Sequence, residues 1–454
     1  MKNKIYLILS AIIITLSLLV RLYKMENRAP FDWDQNRDYK VVVEIAKGKA
    51  TLIGPVAKGE GGFFLGPLYY YLVAPTYIAM KGSPSALPVT SIILDVLAIA
   101  AILILLRNTL GKKTTFMLAT LWSFSWFAIE MSRISWNVAL VPLWSVLILW
   151  LLTKGEKFSW RLAGLIGLVI GFTWHIHAAL IPIGLALAIF SWKLWMRDWK
   201  NIGAFIVGYG IPLIPLILFD MRHAGINYRL LSQMFIAGSQ VSFQLPELLT
   251  ATMMRLGKNA QDTLLGISNY NLLLGYLMTV TAAFGYIFTK GIFRLSSLII
   301  VLNVLAVLTL SEVGFPEYYF AACYIPTLLI IIMTASKLVM RKTGILVLLT
   351  VVLVYLNVKQ YSFSETSFGL SRKMATAKLL VAQNSPLDIH LELAPGREGG
   401  VLEFYKLYGG TLDSKSKVKA VVTDKTSGPI ILDGELTTDI GYFGGIRITK
   451  FVVQ

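Results

Sequence analysis

The sequence predicts an all-α polytopic membrane protein of about 11 transmembrane helices, followed by a small C-terminal extracytoplasmic domain of α+β or β-rich type. Two observations carry this prediction. Of the 454 residues, 56% are hydrophobic and 15% are charged, and the mean hydropathy is +0.66, whereas an average soluble domain has about 25% charged residues. In addition, apolar runs close to the roughly 20 residues that a bilayer requires alternate with short basic loops.

The apolar runs predict the individual crossings. They cover residues 5–22, 88–106, 114–130, 136–153, 161–175, 178–193, 201–219, 270–289, 295–311, 318–336 and 343–358. One further run, 63–80, is short, contains Pro67 and Pro75, and is rich in tyrosine. Proline interrupts a regular helix, and tyrosine favours the membrane interface. We therefore expect 63–80 to form a juxtamembrane or re-entrant helix that does not cross.

The charges of the loops predict the orientation in the plasma membrane. Five short basic loops, at 107–113, 154–161, 193–200, 290–294 and 337–342, share one side with the N-terminus, and the positive-inside rule places that side in the cytoplasm. The loops 23–87 and 220–269 then lie outside. Residues 1–358 are the expected membrane domain, and residues 359–454 are the expected extracytoplasmic domain. We expect the first run to be retained as a helix because no small-x-small cleavage site follows it.

The net charge of +17 is explained by these loops, so we expect no nucleic-acid partner. The single cysteine, Cys323, lies in an apolar run, which excludes an internal disulfide and a cysteine-based metal site. In the tail, segments 418–423, 429–432 and 446–453 have the composition of strands, with turn signals at Gly409-Gly410 and Asp433-Gly434.

The first external loop holds three acids, Asp32, Asp34 and Asp38, directly after a predicted membrane helix. Acids at a membrane boundary are costly unless they are paired, hydrated or used in function. Asp32 and Asp34 form an Asp-x-Asp pair, which can bind a divalent cation such as Mg or Mn through oxygen. The alternative is a solvated loop in which Arg37 and Lys40 balance the charge.

Further candidate residues follow on the same predicted face. They are Lys58, Glu60, Arg133, Asn137, His175, His177, Asp220, Arg222, His223, Glu312, Glu317, Tyr318 and Tyr319. Each of these residues could instead have a structural role. An arginine at a helix end often anchors at the membrane interface, and a His-x-His pair without a third ligand is no zinc signature. The glycines before Tyr69 permit close backbone approach to a ligand. Asp95 lies within an apolar run, and the sequence names no partner for it.

No phosphate-binding loop or dinucleotide-binding fingerprint is present in the sequence. An activated substrate would therefore arrive in the membrane, for example as a lipid phosphate. The candidate motifs are, in order, 31–38, Gly66-Pro67-Leu68-Tyr69-Tyr70, Arg133-x-x-x-Asn137, His177, Arg222-His223 and Glu317-Tyr318-Tyr319 ahead of Pro326. In this order, over roughly residues 5–340, the sequence resembles the GT-C glycosyltransferases of the protein O-mannosyltransferase and aminoarabinose-transferase type, glycosyltransferase family 39.

The resemblance implies inverting transfer of a sugar from a polyprenyl-phosphate donor, of undecaprenyl or dolichyl type, to a hydroxyl acceptor on a protein, lipid or glycan outside the cell. It implies that Asp34 is the general base. The family normally has an Asp-Glu pair where this chain has Asp34-Gln35, and Asp32 or Asp38 would supply the missing carboxylate. Negative charge that builds on the leaving phosphate needs fixed partners, and we expect these to come from Lys58, Arg133, Arg222, His223 and Tyr318. We expect the sugar or acceptor pocket to include Glu60, Tyr69, Asn137, His177 and Glu317.

Two other functions stay open at this point. A lipid-linked saccharide transporter or flippase would often show an inverted repeat, which we do not detect, and the long external loops favour an enzyme. A non-catalytic GT-C-like scaffold subunit is the second alternative, and the departure at Gln35 favours it. The tail binds acceptor or glycan, packs on the catalytic loops, or only stabilises the fold.

Overall fold

The structure is a computed structural model, and it describes residues 3–57, 62–154, 159–192, 196, 198–238, 245–310, 314–338, 343–361, 365–383, 386–427, 431–432, 435–436 and 438–452. The first half of the chain forms α1 (Asn3–Leu22), α2 (Met25–Arg28), α3 (Trp33–Ala46), α4 (Leu68–Ala79), α5 (Ala86–Leu105), α6 (Arg107–Leu110), α7 (Lys112–Phe124), α8 (Trp126–Arg133), α9 (Val141–Leu152), α10 (Trp160–Gly171), α11 (Thr173–Ile176), α12 (Leu180–Phe190) and α13 (Trp199–Arg222).

The second half continues with α14 (Ile226–Gly238), α15 (Leu245–Leu265), α16 (Leu272–Phe288), α17 (Gly291–Leu310), α18 (Tyr324–Leu338), α19 (Thr343–Lys359), α20 (Leu370–Val381) and α21 (Val401–Leu407). Two 3-10 helices, Asn137–Leu140 and Glu317–Cys323, precede α9 and α18. The strands are β1 (Asp388–Glu392), β2 (Val418–Asp424), β3 (Ile431–Leu432), β4 (Glu435–Leu436), β5 (Thr438–Phe443) and β6 (Ile446–Val452).

Five of the described helices are long and apolar enough to cross a membrane. They are Asn3–Leu22, Ala86–Leu105, Trp199–Arg222, Gly291–Thr309 and Glu317–Leu338. Shorter apolar helices cover Asn137–Leu152, Trp160–Ile176, Leu180–Phe190, Leu272–Phe288 and Gly344–Lys359. The total of 11 crossings therefore stays a prediction.

The expected crossing at 114–130 is wrong as a single helix. The chain is extended at Ser125, and it divides into α7 and α8 there. The Ser125 side chain accepts a hydrogen bond from Ala128 N, so it caps the second helix. The expected helix within 63–80 is the 12-residue α4, which is about 18 Å long, short of the roughly 30 Å hydrocarbon core.

A buried ion pair joins α1, α5 and α7 near the end of α1. The guanidinium of Arg21 lies 2.7 Å from an oxygen of Asp95, and Trp122 Nε1 donates to the other oxygen at 2.9 Å. Arg21 also donates to Ser17 Oγ at 2.6 Å and to the Ser123 carbonyl at 2.8 Å. Asp95, for which the sequence named no partner, is thus part of a fully bonded cluster that fixes the end of α1.

Arg133 caps the same end of α1. Its guanidinium donates to the backbone carbonyls of Val20 at 3.0 Å and Arg21 at 3.2 Å, and it pairs with Glu130. These carbonyls have no partner inside a helix that ends there. A second arginine, Arg28, pairs with Glu130 at 2.8 Å. Arg133 is buried in this structural role, which corrects the expectation that it binds a donor phosphate.

The C-terminal region is a small mixed sheet with two helices. Its four-stranded sheet has the order β1-β2-β6-β5; β1 and β2 are parallel, and the other pairs are antiparallel. The parallel pair needs a crossover, which α21 supplies. The predicted strands 418–423, 429–432 and 446–453 overlap β2, β3 and β6 in the described residues, whereas β1, β4 and β5 were not foreseen. Residues 428–430, 433 and 434 lie outside the described part of the chain.

The C-terminal region shares one hydrophobic core with the helical bundle. Phe31 packs on Phe404 with ring centroids 4.8 Å apart, and Tyr39 packs on the same ring at 5.5 Å. The backbone also joins the two regions, because Leu370 N donates to the Ala29 carbonyl at 3.0 Å. The segment between α1 and α3 is therefore held from both sides.

We expect the substitution Arg21→Met to destabilise the protein strongly. It leaves the buried carboxylate of Asp95 without its counter-ion, a loss of about 3–5 kcal/mol. Thermal unfolding in detergent measures this loss as a lower midpoint. The double variant R21M/D95L should recover most of it, because both charges are then removed, and Lys4→Met, an exposed position of the same helix, should have little effect. Equal losses in the single and double variants would contradict the pairing.

Candidate active site

A cavity of about 790 Å³ lies beside the first turn of α3. Its wall includes Asp34, Asn137, His177 and Tyr318, so four residues selected from separate parts of the sequence share one cavity. Aromatic rings form much of the remaining wall, contributed by Trp33, Trp136, Phe315 and Tyr319. Asp34 is the only carboxylate among the described lining residues, and Arg37 is the only cation. The cavity combines one acid with many flat apolar faces.

Asp34 is held at the cavity by the helix that carries it. It lies in the first turn of α3, where a negative side chain is stabilised by the helix dipole. Its carboxylate accepts a hydrogen bond from Arg37 Nη1 at 2.8 Å, one turn further along. Half of the side chain remains exposed, at 54%. Asp34 is thus oriented by one partner and still accessible to a substrate.

Arg37 also holds the buried acid Asp38. Its Nη2 lies 2.7 Å from Asp38 Oδ1, and Asp38 Oδ2 accepts no hydrogen bond from the described residues. Burial raises the pKa of Asp38 to about 7, against the charge of Arg37, which lowers it. Asp38 is fully buried and does not line the cavity. Its position fits a partner that orients Arg37, and it does not fit a group that contacts substrate.

Gln35 has a structural role that a glutamate cannot perform. Its Oε1 accepts from Asp32 N at 2.9 Å, and its Nε2 donates to the Ser135 carbonyl at 3.0 Å. A carboxylate has no hydrogen to donate to that carbonyl. The departure from the Asp-Glu pair therefore ties the start of α3 to the loop after α8.

Asp32 and Asp34 do not fit a shared divalent cation. Asp32 caps α3, and its Oδ1 lies 3.6 Å from the ammonium of Lys373, while Asp34 is paired with Arg37. Each carboxylate thus faces a protein cation. Among the described residues no group of three or more histidine, cysteine, aspartate or glutamate side chains comes together as a metal site. We derive no step through a metal here.

His177 sits in an aromatic enclosure at the cavity wall. Its ring centroid lies 5.4 Å from those of Tyr318 and Tyr319, both edge to face. Its Nδ1 accepts from Ala179 N at 3.2 Å. Burial lowers the pKa of His177 to about 4, so the imidazole is neutral at pH 7. A neutral ring with a free Nε2–H can donate one hydrogen bond to a sugar hydroxyl.

A second cavity of about 450 Å³ adjoins the first. Trp136 and Tyr318, whose rings meet edge to face at 4.9 Å, line both cavities. The second cavity contains Lys258, which bridges Glu317 at 2.7 Å and Asp262 at 3.0 Å. Glu317, expected in the sugar or acceptor pocket, therefore lines the second cavity and not the cavity of Asp34. It forms an ion pair with Lys258.

Two cations of the second cavity, Arg255 and Lys258, were not predicted from the sequence. Arg255 also lines a third, adjoining groove of about 550 Å³ that includes Thr250, Ala251 and Met254. Its guanidinium stacks 4.5 Å from the Phe315 ring, and no carboxylate among the described residues pairs with it. Arg255, Lys258 and Asp262 are spaced by three and four residues, so one face of α15 carries them. That spacing was the available signal within the loop 220–269.

Other predicted site residues lie away from these cavities. Tyr69 is buried and bonds Ser91 Oγ at 2.9 Å. Arg222 is exposed at the end of α13, and His223 stacks on Phe219 at 4.1 Å. The structure therefore does not bring Tyr69, Arg222 or His223 to the cavity wall. Lys58, Glu60 and Glu312 lie outside the described residues.

Gly66 approaches a side chain closely, and that neighbour belongs to the protein. A Cβ at this position would lie 2.2 Å from His175 Nδ1. His175 Nδ1 accepts from Leu68 N at 3.2 Å, and its Nε2 bonds the Pro212 carbonyl at 2.6 Å. The Gly-Pro-Leu-Tyr-Tyr stretch thus packs on His175, which links the start of α4 to α13. His175 is a structural residue.

The comparisons with known proteins identify the fold. The apo oligosaccharyltransferase of Archaeoglobus fulgidus is similar to this chain at 12% identity, with a TM-score of 0.53, over 89% of this chain and 64% of that chain. A second structure of that enzyme, AglB in complex with an inhibitory peptide and a dolichol-phosphate, has 12% identity and a TM-score of 0.50 over 92% and 69%. The chain has the GT-C fold. No protein-family model and no curated protein matches its sequence.

The GT-C fold makes this chain a multi-pass membrane protein. ArnT from Cupriavidus metallidurans bound to undecaprenyl phosphate is also similar, at 10% identity and a TM-score of 0.49, over 97% of each chain. At 12% identity the two oligosaccharyltransferase structures establish the GT-C fold only, because one fold hosts many activities.

We expect His177→Phe to make the protein less sensitive to acid. The folded state holds His177 near pKa 4, below the value of about 6.5 in an unfolded chain. The unfolded state therefore binds more protons between these values, and wild-type stability falls as the pH drops from about 6.5 to 4. Unfolding midpoints at pH 7.5 and 4.5 measure this fall, which should be smaller in the variant. His390→Gln, at an exposed histidine, should behave like wild type; an unchanged acid response of H177F would contradict the burial.

Proposed function

We propose that this chain is a membrane glycosyltransferase that moves a sugar from a polyprenyl-phosphate donor, of undecaprenyl or dolichyl type, to a hydroxyl acceptor, with inversion and with Asp34 as general base. The site would lie at the extracytoplasmic face, with the N-terminus in the cytoplasm and the C-terminal domain outside. The acceptor is a protein, lipid or glycan.

One observation carries the proposal. An accessible carboxylate, Asp34, shares an aromatic cavity with His177 and Tyr318, and that cavity adjoins a second one containing Arg255 and Lys258. A carboxylate that accepts a proton and cations that bind a phosphate are the two kinds of group that this sugar transfer needs. Between them lie flat aromatic rings, which suit the apolar faces of a sugar.

The carboxylate would accept the proton of the acceptor hydroxyl. The acceptor oxygen then forms a bond to the anomeric carbon, while the bond from that carbon to the phosphate oxygen breaks. The electron pair leaves with the polyprenyl phosphate. The base and the cations lie in different cavities that meet at Trp136 and Tyr318, so an anomeric carbon bound between them would be attacked on one side and lose the phosphate on the other. This arrangement supports inversion.

The phosphate would bind at Arg255 and Lys258. Lys258 already faces two carboxylates, Glu317 and Asp262, whereas Arg255 has a ring contact and no carboxylate among the described residues. Arg255 is therefore the better partner for an added anion, and its planar guanidinium can bind two phosphate oxygens. The adjoining groove beside Ala251 and Met254 would take the first apolar part of the carrier.

We expect Asp34→Asn to reduce transfer by about 100-fold or more, because the amide cannot accept the proton. Purified protein in detergent, supplied with labelled polyprenyl-phosphate sugars and a hydroxyl acceptor, provides the assay. Glu44→Gln is the matched control, since Glu44 is an exposed acid on the same helix. Full turnover in D34N would remove Asp34 from the mechanism. Movement of labelled lipid across vesicles without transfer would favour the transporter alternative.

We expect Arg255→Met to weaken binding of polyprenyl phosphate by about tenfold or more, the loss of one charge-assisted contact. Binding is measured with the sugar-free lipid phosphate, so the result does not depend on the identity of the sugar. Arg229→Met, at an exposed arginine on α14, is the control and should bind like wild type. Equal affinity of R255M and wild type would place the phosphate elsewhere.

A further inference from the structure

The C-terminal domain reaches the candidate base through one buried lysine. Lys373 lies on α20, and its side chain is 0% exposed. The ammonium donates to the backbone carbonyl of Phe31 and lies 3.6 Å from Asp32 Oδ1. Burying an ammonium is costly, and burial lowers the pKa of Lys373 to about 8 although Asp32 raises it. The two groups that compensate this cost both belong to the two residues that precede α3.

A second contact holds the next residue of the chain. Trp33 Nε1 donates to Glu398 Oε1 at 3.0 Å. Glu398 lies in the glycine-rich loop between β1 and α21, and this loop packs directly on the start of α3. A Cβ at Gly400, which has a φ of +90°, would lie 2.7 Å from the Phe31 ring. The loop is thus shaped to lie against residues 31–33.

Asp34 directly follows the residues that the C-terminal domain contacts. Residues 31–33 are held by the C-terminal domain, and Asp34 comes next, in the first turn of the helix that Asp32 caps. Trp33 itself lines the 790 Å³ cavity. A further ion pair, Lys40 with Glu403 at 2.7 Å, fixes α3 one and a half turns later. Any shift of the C-terminal domain therefore moves the carboxylate relative to the cavity.

We propose that Lys373 and Glu398 are positioning residues for the transfer reaction: through Phe31, Asp32 and Trp33 the C-terminal domain sets the position of Asp34. The proposal rests on the proposed function of Asp34. It gives the domain a role in the catalytic step, although neither side chain itself lines the 790 Å³ cavity. A misplacement of about 1 Å at a catalytic group can lower a rate 100-fold.

The test compares Lys373→Met and Glu398→Ala in the full-length protein. We expect kcat to fall about tenfold in each variant, with the KM for the lipid donor unchanged, because the donor phosphate subsite is not touched. Hydrogen–deuterium exchange should rise in residues 31–38 and stay constant in α15. Lys378→Met is the control, since Lys378 is exposed on the same helix and packs only on the Tyr408 ring among its described contacts; it should match wild type.

The outcomes separate this inference from the proposed function. If D34N is inactive while E398A and K373M keep the wild-type kcat, the positioning role is overturned and the base is retained. If D34N keeps full activity, Asp34 is not the base and the positioning role falls with it. If the wild-type protein shows no transfer, the proposed function itself fails. A rise in KM with constant kcat, or a loss of kcat without faster exchange in residues 31–38, also overturns the proposal. If K373M does not yield folded protein, the E398A result decides, because its contact is at the surface of the domain.

Discussion

The buried pairing of Arg21 with Asp95 is the constraint on which the rest of the structure depends. A charge inside an apolar bundle is tolerated only when its partner and its hydrogen bonds are all present, and here Trp122 and Ser17 complete them. The cluster therefore allows one arrangement of α1, α5 and α7. Arg133 then caps the end of α1. The candidate base, Asp34, follows the last residue of α1, Leu22, by 12 residues.

The segment between the end of α1 and the start of α3 is held in place on two sides. From the end of α1 the backbone passes through α2 to the cap of α3, where Gln35 bonds the loop after α8 and Lys373 bonds Phe31. The membrane bundle thus holds one side of the segment and the C-terminal domain holds the other. Asp34 is kept half exposed within a well-bonded frame. A preorganised acid of this kind loses little entropy when a substrate arrives.

The two adjoining cavities contain different charged side chains. The cavity beside α3 has one accessible acid and aromatic walls, while its neighbour has Arg255 and Lys258 beside two carboxylates. Asp34 pairs with Arg37 in its own cavity, and Lys258 pairs with Glu317 and Asp262 in the second, so the acid of one cavity is not paired with the cations of the other. Arg37, which lies with Asp34, is engaged by the buried Asp38. Helices α3 and α15 bring the side chains of the two adjoining cavities together.

The sequence by itself determined the membrane class, the apolar helices, strands β2 and β6, and the choice of Asp34, Asn137, His177 and Tyr318, which line one cavity. It did so because hydropathy, periodicity and local motif order are properties of neighbouring residues. Only the tertiary structure decided which basic residues line a cavity. Arg133 caps the end of α1, while Arg255 lines the second cavity. The sequence alone does not distinguish the two roles, because the α1 carbonyls that Arg133 contacts and the Phe315 ring that Arg255 contacts are brought close only by the fold. For the same reason the contacts of Gln35 with Ser135 and of Lys373 with Phe31 could not be predicted from the sequence.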